Sequence, residues 1–78
     1  MDELEITKGH SVFRGALLMP PRVGSSLLIY RIAEHDVLTT SVVRSVSIGP
    51  DGGLCVITLN STYHLARTAA HPAVNEAA

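Results

Sequence analysis

VLTTSVVRSVSIGPDGGLCVITLNSTYHL, Val37 to Leu65, carries the strongest pattern in this 78-residue chain. From Val42 the residues alternate, with Val42, Arg44, Val46 and Ile48 on one side and Val43, Ser45 and Ser47 on the other. That is the two-residue period of a half-buried strand. Gly49-Pro50-Asp51-Gly52-Gly53 then supplies residues that preset or permit turn dihedrals, and a second β-rich run, Leu54 to Leu59, starts at once. The pattern predicts a β-hairpin followed by a further strand through Tyr63-His64-Leu65, with Asn60-Ser61-Thr62 as either a turn or a kink. It also predicts that Val42, Val46, Ile48, Val56 and Leu65 share one core. Arg44 interrupts that apolar side and must reach solvent or meet a carboxylate, for which Glu34 and Asp36 are at hand.

Upstream, Leu27 to Ile32 is a continuous apolar run of the kind covered on both sides, and the polar Ala33-Glu34-His35-Asp36 segment sets it antiparallel to Val37–Val43. Ser11 to Met19 reads as another strand, ended by Pro20-Pro21, which cannot donate to a ladder. Leu4 and Ile6 alternate with polar residues, as in a short edge strand or an ordered arm. From Arg67 the composition turns to alanine with a proline and no aromatic residue. This predicts a single domain over residues 1–66 and a flexible tail over 67–78, with a helical turn in 66–70 as an option.

Five or six short strands with almost no helix must close or nearly close to remove their edges. The expected fold is therefore all-β, a small, strongly bent antiparallel barrel of the SH3-like kind, with a two-layer β-sandwich as the alternative. The OB variant is disfavoured by the short chain and the lack of a helix.

The segments Pro21-Arg22-Val23-Gly24, Leu38-Thr39-Thr40-Ser41-Val42-Val43 and Thr58-Leu59-Asn60-Ser61-Thr62-Tyr63, with Leu65, resemble those of short uncharacterised bacterial proteins. The resemblance spans residues 12–65 and implies a small all-β protein without an assigned activity, so it carries no site residues. Arg22-Val23-Gly24 before an apolar run is also similar to β-barrel modules of translation factors, a tripeptide too common to carry an argument.

Composition narrows the function classes. With 46% hydrophobic and 17% charged residues the chain is too apolar for disorder, while so short a domain buries only about 60% of its unfolded surface. Net charge is −1, yet Lys8 to Arg67 holds six basic residues against Glu34, Asp36 and Asp51, a body charge of +3. Ordinary solvating charge explains that value, and an anionic partner is the alternative. A single cysteine, Cys55, excludes an internal disulfide and a multi-cysteine zinc site. An acidic N-terminus and the lack of a long apolar run point away from a signal peptide or a membrane span, and hence to a cytoplasmic location.

None of His10, His35, His64 and His71 makes a local ligand pair, and no metal, cofactor or catalytic set is predicted. Cys55 reads as a small core residue, although His64 could face it across a ladder to form a dyad. Arg14, Arg22, Arg31 and Arg44 lie in or beside predicted strands. If Arg31 and Arg44 share a face with Tyr30 or Tyr63, the four would suit single-stranded nucleic acid. The favoured expectation is a non-enzymatic interaction module that binds a protein partner or itself, because the chain has more Val, Leu and Ile than so small a core can hide.

Overall fold

In the computed structural model, which describes residues 3–49 and 52–67, six strands follow one another: β1 (Leu4–Lys8), β2 (Ser11–Leu17), β3 (Ser26–Arg31), β4 (Asp36–Ile48), β5 (Leu54–Thr58) and β6 (Thr62–Arg67). Each pairs antiparallel with the next, and β6 returns to β1 through Ile6 opposite Leu65 to close the barrel. The expected small antiparallel barrel of the SH3-like kind is thus the fold, with six strands. Closure corrects the reading of the first strand: β1 is no edge or arm but is paired on both sides, with β2 and β6.

The core is Ile6, Leu27, Ile29, Val43, Val56, Tyr63 and Leu65, with Leu4, Phe13, Leu17, Leu38 and Leu54 packed against it. β3 alternates, with Leu27 and Ile29 buried and Leu28 and Tyr30 only half-buried, so it is covered on one face rather than two. Of the five residues expected in the core, Val56 and Leu65 are there, but Val42, Val46 and Ile48 are exposed. The cause is two irregularities in β4. Between Leu28–Thr39 and Ser26–Val42 it has one residue more than β3, and between Val43–Thr58 and Ser45–Ile57 one more than β5. Each extra residue reverses the alternation. Leu38 and Thr40 point inward, then Val43, then Val46 and Ile48, which share the inner face with their directly opposed partners Val56 and Leu54. Val46 and Ile48 are uncovered there because β4 has outrun β3, whose first residue, Ser26, stands opposite Val42.

Side chains stabilise both irregularities. At the first, the buried Leu27 N–H donates to Thr40 Oγ1 at 2.9 Å in place of a backbone partner, while the Thr40 hydroxyl donates to Ser41 O. Near the second, the Ser41 hydroxyl donates to Thr58 Oγ1 at 2.8 Å and accepts from Asn60 N–H. Thr58 also closes the following connection: its N–H donates to Ser61 O, and its Oγ1 accepts from Ser61 N–H. Residues 59–61 are therefore a turn between β5 and β6, not a kink within a strand.

Gly15 is buried where β2 passes from β1 to β3. A Cβ there would come within 2.8 Å of Ile29 Cγ2 and 2.9 Å of the Tyr30 carbonyl oxygen, so only glycine lets the strands approach this closely. At the other end Arg67 lies within β6, opposite Leu4, which moves the start of the expected tail past it and places Ala66 in a strand rather than a helical turn. The remainder of that tail, 68–78, lies outside the described residues.

Candidate functional site

Closure satisfies most strand edges, but β4 outlasts both neighbours. At its start Val37 and Thr39 turn their backbone groups away from β3 to a side that β5 reaches only from Val42 on, and its far end runs past β3. The last bonds on its β3 side run from Gly24 N–H to Val43 O and from Val43 N–H to Ser25 O, at 2.9 and 3.0 Å. Beyond them β4 pairs only with β5. Which backbone groups face that partner follows from the turn: Gly49 N–H donates to Gly53 O at 2.7 Å, so Gly49 faces β5, and alternation places Ser47 and Ser45 the same way. The N–H and C=O groups of Val46 and Ile48 therefore point away from β5, towards a side where no described strand lies. Their side chains are 37% and 77% exposed. Four backbone groups without a partner among the described residues and two exposed apolar side chains form a template for another strand.

β2 offers a shorter counterpart. Ile32 N–H donates to Arg14 O, so Arg14 faces β3, and alternation turns Val12 in the same direction beyond the end of β3. That exposes the backbone groups of one residue, against two at each end of β4; at the start of β4 these are Val37 and Thr39, only one of them apolar, and at its end Val46 and Ile48, both apolar.

The Arg and Tyr set does not assemble into a face. Tyr63 is buried at 3% exposure in the core, with Lys8 Nζ 5.8 Å from its ring centroid, and offers no surface for a base. Arg31 is fixed by two bonds to Asp36, from Nε to Oδ1 at 2.8 Å and from Nη2 to Oδ2 at 2.6 Å. This fork holds the Asp36 carboxyl below its ordinary range, chiefly through the hydrogen bond, and raises Arg31 for the same reason. Of the two acids expected as partners for Arg44, Asp36 is thus taken by Arg31, and Glu34 forms no ion pair with Arg44 among the described residues. Tyr30, next to Arg31, points to the opposite side of β3, where its hydroxyl lies 3.3 Å from His35 Nδ1. Arg44 is exposed at the second irregularity and makes no ion pair among the described residues. It reaches solvent, as one of the two sequence expectations required.

Cys55 is half-buried and not a core residue. The ladder does set it directly opposite His64, with Ser47 on its other side and Thr7 beyond His64, in one row on the outer face of the barrel. The neighbours needed for a dyad are therefore present. Among the described residues no group of three His, Cys, Asp or Glu side chains is arranged to hold a metal ion. A recess of about 420 Å³ opens beside the β4–β5 turn, between Leu4, Leu54, Leu65 and Arg67, at the end of the barrel that Ile48 also borders through Leu54.

Compared with protein-family models, curated proteins and solved structures, the chain matches none.

The sequence reading placed Val46 and Ile48 in the core and so missed the edge. The one available signal was the length of the β-rich run: Val37 to Ile48 is twice the Leu27–Ile32 run it pairs with, so part of it had to lie beyond that partner.

Proposed function

We propose that this barrel is a non-enzymatic interaction module that takes up an extended segment along β4 at Val46–Ile48. The supporting observation is the outward-facing N–H and C=O pairs of Val46 and Ile48, a free stretch of β4 in which both residues also carry exposed apolar side chains. Unmet backbone bonds supply binding rather than chemistry, and each one formed contributes about 0.5–1.5 kcal/mol net. Val46 and Ile48 add apolar contact on one side of the incoming strand, and the exposed Ser45 and Ser47 on the other accept small polar neighbours.

The test is selection from a displayed library of extended peptides, followed by hydrogen exchange on the barrel with a selected peptide bound. Exchange at the Val46 and Ile48 amides should slow on binding, and Val46→Pro, which removes an outward N–H without touching the β5 ladder, should abolish it. The proposal fails if no selected peptide slows exchange at these amides, or if those that bind are indifferent to Val46→Pro.

A further inference from the structure

Resting on that reading of the β4 edge, we infer that its partner is a second copy of this chain, joined antiparallel about a two-fold axis at Ser47. The edge is self-complementary in only one register that uses all its free groups. With Ser47 opposite Ser47 of the copy, Val46 stands opposite Ile48 and Ile48 opposite Val46. Both are narrow pairs of the hydrogen-bonded type, because both residues direct their backbone groups outward. Four bonds form and no outward group of Val46 or Ile48 is left over. A register centred on Val46 would pair Ile48 with Arg44, which lies at the irregularity opposite β5 and breaks the alternation.

Side chains fit the same register. Directly opposed residues share a face, so the exposed Val46 of one copy covers the exposed Ile48 of the other, twice over. The hydroxyls of the two Ser47 residues meet at the axis on the opposite face. Arg44, the only charged residue from Arg44 to Ile48, lies three residues from the axis. The two guanidinium-bearing residues are then about 20 Å apart along the strand, well over the screening length at physiological salt. A two-fold contact closes on itself and yields a dimer rather than a fibre. So short an edge belongs to the small, transient class of interface, so dimerisation depends on concentration.

Sedimentation of the whole chain should show a weight-average mass that climbs from one chain towards two between about 10 µM and 1 mM. Val46→Pro should hold it at one chain throughout. Because a proline within a strand can impair folding, Ile48→Lys is the second variant; its position is exposed, and it too should stay monomeric. Register is read by cross-linking in a Cys55→Ser background. Ser47→Cys, with Cα atoms about 4.5 Å apart at the axis, should form a disulfide dimer under mild oxidation, whereas Ser45→Cys, about 13 Å from its symmetry mate, should not. A wild type that stays monomeric at 1 mM overturns the inference. So does a dimer that Ile48→Lys leaves intact, or one that cross-links through Ser45→Cys and not Ser47→Cys. A monomer that still captures library peptides on β4 refutes the second copy but leaves the edge-binding reading standing; a monomer that captures none refutes both.

Discussion

Thr40→Val tests the origin of the first β4 irregularity, and with it the account of how the edge is exposed. Valine matches threonine in shape and suits a strand, so the substitution removes one hydroxyl and little else. That hydroxyl accepts the hydrogen bond of Leu27 N–H at 2.9 Å, in a place where Leu27 is 1% exposed and Thr40 6% exposed. The amide left behind has no water to turn to. An unsatisfied buried donor costs about 1–3 kcal/mol, and relief from burying a hydroxyl recovers part of that, so a net loss of about 1–2 kcal/mol is expected. For a domain of this length each kcal/mol moves Tm by about 4–8 °C, which gives a fall of about 4–16 °C by circular dichroism or calorimetry. Thr40→Ser keeps the acceptor and should lose much less. Thr39→Val, exposed and without a side-chain bond among the described residues, should stay within about 0.5 kcal/mol of wild type. Leu27 amide exchange should also accelerate in Thr40→Val by more than the global loss of stability. If Thr40→Val melts with the wild type, the hydroxyl does not hold the irregularity.

Two further outcomes follow from the barrel. Gly15→Ala inserts a Cβ into contacts of 2.8 and 2.9 Å, one of them with backbone, and should cost about 1–3 kcal/mol in urea unfolding; no loss would mean that β2 and β3 can separate freely. Asp36→Asn should lower Tm slightly at neutral pH, with the difference from wild type closing below about pH 4. The folded Asp36 carboxyl sits below its unfolded value because of Arg31, so its contribution is present above the unfolded value and is lost as pH falls through the folded one. A gap that stays constant into acid would show that the fork does not act through charge.

The sequence by itself determined the class of fold and most of its elements. Alternation, the Gly49–Gly53 turn, Pro20-Pro21 and the polar 33–36 segment are local signals, each fixed by dihedral preference or by a period of two, and the strands appear where these signals put them. So few residues with so many strands also required closure. Which side of β4 faces the core was decided only in the tertiary structure. A strand's alternation is a phase, and a single extra residue reverses it; whether one is present depends on the register set by β3 and β5. Tyr63, in a strand without such an irregularity, is buried by plain alternation on the same side as Leu65, whereas the extra residue in β4 is why Val43 is buried where Val42 was expected. The free groups of Val46 and Ile48 arise the same way: the length of a strand is written in its own residues, but the point at which its neighbour stops covering it is set by how the neighbouring chain is packed.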